Sequence, residues 1–597
     1  MLKKPESRNA WSWVPSLYYA EGIPYVVVML VSVIMYKRMG ISNADIALYT
    51  SWLYLPWVIK PLWSPFIDLF KTKRFWIVIM QLIVGAGLAG VAFTIPAPSF
   101  LQYTLAFFFL IAFSSATHDI AADGFYMLGL SENEQALHVG IRSTFYRLSM
   151  ITGQGLLIIL AGYFETHSGL QPLDVTINAA PKIVNERVIL SDSIKGFKEQ
   201  NELKIVASAT SLNIPVATGN KAQIDSIIFS VQTHNIKNGS VKINNKVPAL
   251  PVLKTVPADS KKIAGNVGVI GFQLSKKPVE DKDYVINLDS YSGAKDITVI
   301  EGTRLVFNKS NWNKPAYAVF QLDAKMTGGA VTAFRAISGD IAWAWKITFF
   351  ILTGLFLSFF IYHFFILPYP AVDKPKLQAG SGGVFNEFVR AFSTFFKRKH
   401  IGLILTFLLI YRFGEAQLVK LASPFLLDAR EIGGLGLTTG EVGLIYGTIG
   451  VIALTAGGIL GGIAAAKGGL KKWIWIMFAC INIPHVLYIY MAYAQPTSIW
   501  IISSCVAGEQ FGYGFGFTAY MLYMIYASEG EFKTAHYAIC TGFMALSMMI
   551  PGMFSGYIQQ ALGYQHFFIW ILLTMIPGFF ITKFIPIDPT FGIKNKK

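Results

Sequence analysis

The sequence predicts an all-α membrane protein of twelve helices, ordered six plus six, with a β-sandwich inserted between the fifth and the sixth. Three observations carry this reading. Of the 597 residues 53% are hydrophobic and only 14% charged, a balance beyond that of a soluble protein of this size. Apolar runs of the roughly 20 residues needed to cross a bilayer recur along the chain. Between residues 167 and 339 they give way to short alternating runs separated by Gly, Asn, Asp and Pro.

The first group of spans is expected at 11–36, 43–68, 74–96, 100–129, 137–164 and 341–367, the second at 401–427, 439–465, 473–494, 498–527, 534–560 and 564–586. The start "MLKKPESRNAWSWVPSLYYAEGIP" is basic, but the apolar stretch after it is too long for a signal-peptide core, contains Glu21 and ends in no small-residue cleavage site. It is expected to be a retained first span. The expected domains are a first bundle at 1–166, the insert at 167–339, the sixth span at 340–368, a linker at 369–400 and a second bundle at 401–597.

Lysines and arginines of short loops set orientation. With the N-terminus inside, that side collects Lys3, Lys4, Arg8, Lys71, Lys73, Arg74, Lys374, Lys376, Arg390, Lys397, Arg398, Lys399, Lys467, Lys471, Lys472, Lys533, Lys594, Lys596 and Lys597; the opposite short loops hold Lys37, Arg38 and Arg430. Both termini are therefore expected inside and the insert outside. The linker places Phe385, Phe388, Phe392 and Phe396 near one helical face beside a basic end, the pattern of an amphipathic helix on the inner membrane surface.

Within the insert, "LKIVASAT", "DSIIFSVQT", "VGVIGFQLS", "YVINLDSY", "ITVIEGTRLVFN" and "YAVFQLD" alternate with period two, which predicts about seven strands in a sandwich. The segment "LVFNKSNWNKPAYAVFQLD" resembles the closing hairpin of Calx-β and related Ig-like domains. Asp281, Asp283 and Asp289 lack the dense oxygen-ligand spacing of a calcium loop. Cys480, Cys505 and Cys540 lie in apolar segments with no CxxC spacing, so neither a disulfide framework nor a metal or cofactor site is expected. The net charge of +16 is dispersed among spans rather than gathered on one face, which argues against nucleic acid as a partner.

Charges inside a bilayer are costly, by roughly 3 kcal/mol each on insertion scales, and face the protein interior or a cavity. Here they fall on particular spans: Glu21 on the first, Lys60 on the second, Asp119 and Asp123 on the fourth, Arg142 and Arg147 on the fifth, Arg412, Glu415 and Lys420 on the seventh, and Glu509 on the tenth. The third, ninth and twelfth carry no interior Asp, Glu, Lys or Arg. This distribution resembles the major facilitator architecture, in which spans 1, 4, 7 and 10 line a central cavity.

Counting about 1.5 Å per residue places Glu21, Arg412, Glu415 and Glu509 near the midplane, where substrate sites of such folds lie. Asp119 and Asp123 share a face of the fourth span in its inner half, and a bond from one of them to Arg147 is expected as a gate or proton-linked latch. His118, beside Asp119, can change charge near neutral pH. His485 and His536 are expected to be packing residues.

Several motifs carry a closer resemblance. "KPLWSPFIDLFKTKRFW" is similar to the junction of spans 2 and 3 in AmpG-like muropeptide permeases and the related acetyl-CoA transporters, and "ATHDIAADGF" to their fourth span. "EGIP", "IYRFGEAQ" with "PFLL", and "GEQFGYGFGFTAY" add to it. The resemblance spans both bundles but not the insert. It implies proton-driven import of a peptidoglycan fragment, with Asp68 and Arg74 in a gating loop and Lys60, Asp119, Asp123, Arg147 and Glu509 in the transport core. His118 stands where the family has Gln, and "GGIAAAKGGLKK" lacks the Asp of its first-half counterpart.

The expected function is thus a proton-coupled carrier of an anionic solute in a bacterial inner membrane. Its substrate is an anhydromuropeptide or, in the alternative, acetyl-CoA or another organic anion. A receptor or scaffold acting through the insert on an envelope partner is the reading from another class. No Ser-His-Asp, metal-ligand or phosphate-loop constellation points to an enzyme.

Overall fold

The computed structural model describes residues 7–181, 190–194, 197–241, 263–279, 283–293, 296–374, 381–428, 430–589 and 591. Lys3, Lys4, Lys376, Lys594, Lys596, Lys597 and Asp281 lie outside the described residues, as do the side chains of Asp68, Asp289 and Phe385.

Among the described residues nine stretches are long and apolar enough to cross a membrane: Ala10–Arg38, Lys73–Thr94, Phe100–Gly129, Gly140–Glu165, Ile341–Ile366, Ile401–Leu427, Thr439–Gly468, Leu470–Ala494 and Ala535–Phe584. The last is two helices, hinged where Gly563 takes φ 71°. Two more polar helices pack in the same bundle, Asn43–Phe70, interrupted at Leu53–Tyr54, and Ile499–Ala527. Local chemistry sets where many of them begin. Ser42, Thr72, Ser131, Asp340 and Thr438 each accept a backbone N–H of the first turn, and Ser131 and Thr438 form capping boxes with Glu134 and Glu441.

Several spans are discontinuous. Span 1 contains Pro24 and then a wide π turn at Val27–Val31. Span 7 is two helices, Ile401–Ile410 and Phe413–Leu427, with Arg412 at the joint (φ −110°). Span 9 breaks at the 3-10 turn Ile483–His485, which contains Pro484. Spans 5 and 8 carry π segments at Thr152–Leu156 and Gly443–Gly450, and these meet: a Cβ on Gly447 would stand 1.8 Å from the Gln154 carbonyl oxygen, so only glycine admits this approach of the two halves.

Among the described residues the insert has two larger sheets around one core, beside a two-stranded pair of Thr218–Asn220 with Ile263–Gly265. A five-stranded sheet runs in the order Ser211–Pro215, Gly169–Ala180, Ala330–Gly339, Tyr284–Gly293, Arg304–Phe307, and a four-stranded sheet in the order Ile205–Ala207, Val267–Leu274, Ala316–Leu322, Ile297–Glu301. Val175, Ile286 and Phe334 of the first pack with Phe272, Val299 and Phe320 of the second.

Two sequence expectations fail here. The run "DSIIFSVQT" lies in an α-helix, Lys221–Lys237, capped by Asn220, because Ile224, Ile227, Ile228 and Val231 recur at helical rather than strand spacing. Ile224 and Val231 are buried against Val267, Tyr317 and Val319 of the four-stranded sheet. The supposed closing hairpin is none: Arg304–Phe307 and Ala316–Leu322 belong to different sheets, and Ala330–Gly339 is the last strand. The turn at Gly302 (φ 76°) likewise sends the two parts of "ITVIEGTRLVFN" to different sheets.

The linker forms a helix, Ser381–Phe396, but its most buried ring is Phe395, set against His536 of span 11. Phe392 and Phe396 border a cleft with Val58 and Phe543. Phe395 and Ala391 thus pack on protein, while Val389 and Phe396 stay exposed.

Candidate functional site

The predicted residues gather into two clusters, one in each half: the first is only partly enclosed, with the side chains of Asp123 and Arg142 40% and 33% exposed, and the second is buried. In the first half Glu21 sits three residues before Pro24, and its carboxylate lies with those of Asp119 and Asp123, one oxygen from each within 4.8 Å of the others. Lys60 of span 2 donates to Asp119 Oδ2. Arg142 of span 5 pairs with Asp123 Oδ1 at 2.6 Å, its guanidinium 4.4 Å from the Tyr18 ring, and Tyr18 Oη donates to the same oxygen at 3.2 Å. Three carboxylates thus share two fixed cations, and Glu21 Oε2 is buried with no hydrogen-bond partner.

This arrangement corrects the expected bond to Arg147. Arg142 and Arg147 are five residues apart, which at about 100° per residue turns them some 140° from each other on the helix. Arg142 faces Asp123, whereas Arg147 turns to span 8, where Nη1 donates to the Thr455 carbonyl at 3.3 Å. The charge of Lys60 is likewise already engaged by Asp119.

Beside this cluster runs a chain of uncharged groups. His118 Nε2 is 3.0 Å from Gln81 Nε2, Gln81 Oε1 is 3.0 Å from His363 Nδ1, and His363 Nε2 is 2.9 Å from Ser16 Oγ. The Gln81 amide donates through nitrogen and accepts through oxygen, so as placed it holds His118 with an unprotonated Nε2 and His363 with a protonated Nδ1. His118 is therefore tied to span 3 rather than to Asp119. Gln81 and His363 were not foreseen, because the sequence map tracked only Asp, Glu, Lys and Arg.

In the second half Glu415, His485 and Glu509 lie with one ligand atom of each within 4.8 Å of the others, and all are at most 1% exposed. His485 Nε2 stands 3.2 Å from Glu415 Oε2, and Gln510 Nε2 donates to Glu509 Oε2 at 2.9 Å. Glu415 Oε1, His485 Nδ1 and Glu509 Oε1 have no hydrogen-bond partner. Arg412 donates to Tyr513 Oη at 2.5 Å and lies 4.7 Å from the Phe517 ring, so it answers to aromatic groups rather than to a carboxylate. The expected midplane set is thereby divided: Glu21 belongs with the aspartates, and Glu415 with Glu509.

His485, read from sequence as packing, is brought into this cluster by the break that Pro484 makes in span 9. "INIPH" in an apolar span was the signal for it. Lys420, on the charge map but not chosen, is 1% exposed; its ammonium donates to Thr50 Oγ1 at 3.0 Å and lies 5.1 Å from the Tyr54 ring.

Of the predicted gating residues, Arg74 ties span 3 to the end of span 6. Its side chain donates to the Leu367 carbonyl at 3.3 Å and to that of Phe364, and stacks 3.9 Å from the Tyr369 ring; the backbone N–H groups of Lys73 and Arg74 donate to Asp373.

At the insert-bearing end the halves are joined by the Lys37–Asp428 pair and by Thr439 on Glu165. Lys37 pairs with Asp428 at 2.5 Å, and Asp428 also accepts from Asn43 Nδ2 (3.0 Å) and Tyr564 Oη (2.7 Å). Arg38 pairs with Glu165 at 3.0 Å, and Glu165 accepts from Thr439 Oγ1 (3.0 Å) and Trp345 Nε1 (2.9 Å). A cleft of about 260 Å3 lies over this end, bordered by Lys37, Arg38 and Asp428 below and by Asn287 and Arg304 of the insert above. Burial, and next the charge of Arg38, holds the Arg304 guanidinium below its ordinary range.

Comparison with known proteins fits this geometry. The helical bundle has the fold of major facilitator transporters: it superimposes on the nucleoside transporter NupG with a TM-score of 0.52 at 9% identity, over 96% of this chain and 98% of that one. A POT family transporter in complex with 5-aminolevulinic acid gives 0.51 at 10% identity, over 96% and 95%. By sequence the chain is AmpG-like. The profile of the BT1 family matches residues 21–254, less than half of the chain. The transporter AmpG 4 of Rickettsia felis is 26% identical over 273 residues, 45% of this chain and 63% of its own length, and that of Rickettsia conorii 24% identical over 272 residues, again 45% and 63%. The chain spans about three fifths of the length of these relatives.

Proposed function

We propose that the chain is a secondary active transporter that works by alternating access and imports an anionic solute together with protons. The observation that carries this reading is the pair of ionisable clusters, Glu21, Lys60, Asp119, Asp123 and Arg142 in one half and Arg412, Glu415, His485 and Glu509 in the other, built on spans 1, 4, 7 and 10 with contributions from spans 2, 5 and 9. Groups so costly to bury need a reason to be there, and exchange of a proton or an ion is one. Carboxylates with unpartnered oxygens, Glu21, Glu415 and Glu509, are the proton carriers of this reading. The anion is drawn by Arg412 and Lys420, whose charges meet aromatic and hydroxyl groups rather than carboxylates; Lys60 and Arg142 hold the first-half carboxylates in place, and Arg147 spans the halves.

The names of the AmpG relatives and the motifs around Asp68 and Asp119 favour an anhydromuropeptide as substrate, with acetyl-CoA or another organic anion as the alternative. On this reading the protein sits in a bacterial inner membrane, both termini cytoplasmic, the insert periplasmic over the Lys37–Asp428 and Arg38–Glu165 pairs, and 1–166, 167–339, 340–368, 369–400 and 401–597 as its domains. Uptake of labelled anhydromuropeptide into proteoliposomes tests it. Accumulation that needs an inward proton gradient is expected; uptake indifferent to collapse of the gradient removes the coupling, and uptake of acetyl-CoA in its place reassigns the substrate.

A further inference from the structure

We infer that Glu415, His485 and Glu509 form a site for one divalent transition-metal cation of the zinc type. The three side chains come from three spans and are brought together by two backbone breaks, Arg412 at the joint of span 7 and Pro484 in span 9, while span 10 runs on unbroken. One imidazole nitrogen and two carboxylate oxygens are the ligands that zinc and its neighbours accept, whereas calcium and magnesium select oxygen alone.

A second observation points the same way. Glu415 Oε1 and Glu509 Oε1 are both buried without a hydrogen-bond partner, in residues at most 1% exposed. Such groups are costly unless something meets them. A divalent ion would give the two carboxylates and the imidazole one common partner, while the neighbouring Arg412 directs its hydrogen bond to Tyr513. Metal–ligand bonds of about 2.0–2.2 Å set ligand atoms roughly 3.5 Å apart. His485 Nε2 and Glu415 Oε2 already stand at 3.2 Å, and Glu509 offers a carboxylate oxygen within 4.8 Å of a ligand atom of each.

The other cluster of three carboxylates does not make the same case, since Lys60 and Arg142 already sit on Asp119 and Asp123. A metal on the second-half site would bind spans 7, 9 and 10 to one another and displace protons from two of the proposed carriers. The inference therefore shares residues with the proposed function, but its test reads binding without transport.

The experiment is a Co2+ titration of the purified full-length chain in detergent, followed by visible absorption, with Zn2+ competition. Saturable d–d bands at one ion per chain are expected, displaced by Zn2+, abolished by His485→Gln and by Glu509→Gln, and retained by Glu21→Gln. X-ray absorption at the zinc edge of the unmutated protein is expected to show a single imidazole among oxygen ligands, a readout that does not depend on any variant folding. No saturable band, a zinc shell with no imidazole or with several, or wild-type binding by folded His485→Gln would overturn the inference.

Discussion

The two clusters differ in how their negative charge is met. In the first half each aspartate has its own cation, Lys60 on Asp119 and Arg142 on Asp123, and Glu21 alone is left over. In the second half neither glutamate has a basic side chain other than imidazole, and the nearby guanidinium is turned to Tyr513. The same chemical group, a carboxylate, is thus partly enclosed and held by fixed cations in one half, and buried beside an imidazole and an amide in the other. Neutralising one should loosen the protein; neutralising the other should not.

The largest effect is expected from Lys60→Met. It leaves Asp119 buried about three quarters from solvent with its partner gone, and loss of one member of a buried pair costs about 3–5 kcal/mol. Thermal unfolding in detergent should fall sharply and uptake should vanish. Lys60→Met with Asp119→Asn, which removes both charges, should recover most of the stability but not the uptake. If the double variant is as unstable as the single, the pair is not what holds spans 2 and 4 together.

Glu509→Gln is the counterpart in the second half. Removing one of two neighbouring buried carboxylates relieves repulsion, so the unfolding temperature should be no lower than that of the unmodified protein, while uptake is lost. A fall in stability as large as that of Lys60→Met would erase the contrast between the halves. Asp428→Asn should fall between these two variants. It takes the charge partner of Lys37 but leaves its hydrogen bond to Asn43 Oδ1 at 2.8 Å and keeps an acceptor for Asn43 and Tyr564, so a loss of about 1–2 kcal/mol is expected, read as a lower unfolding temperature.

How much of this the sequence held depends on the kind of signal. Spans announce themselves because twenty apolar residues have few other uses, and the charges that interrupt them mark the cavity side of spans 1, 4, 7 and 10. What a linear reading could not supply was pairing. Arg142 and Arg147 look equivalent beside Asp123 until helical phase separates them, and Glu21 reads as a midplane partner of Glu509 until the kinked first span lays it beside Asp119. Uncharged hydrogen-bonding residues are hidden for another reason: Gln81 and His363 stand in runs otherwise apolar, and their role comes from neighbours two or three spans away. The Lys37–Asp428 pair joins residues nearly 400 positions apart, and no local pattern betrays it. In the insert, alternation misled at "DSIIFSVQT", where period two and helical spacing overlap and the Asn220 cap decided for helix.

The smallest effect belongs to an ion pair that lies outside the bilayer, and it serves as the reference for both clusters. In the insert Arg335 grips Asp174 with two hydrogen bonds, Nε to Oδ1 at 2.6 Å and Nη2 to Oδ2 at 2.7 Å, across paired strands, with the side chains 29% and 48% exposed. Those hydrogen bonds hold the Asp174 carboxyl below the usual carboxylate range. A group whose folded pKa is lowered adds stability above its unfolded pKa and loses it as pH falls through the folded one. Asp174→Asn should therefore cost little at neutral pH, less than about 1 kcal/mol for a solvated pair, and nothing once acid has protonated the native carboxyl. The cost should also shrink in high salt, because water and ions reach this pair. The difference between Lys60→Met and its double variant should be far less sensitive to salt, since that pair is largely enclosed. Unfolding midpoints of the four proteins at low and high ionic strength would measure both, and equal salt sensitivity would mean that the first-half cluster is open to water.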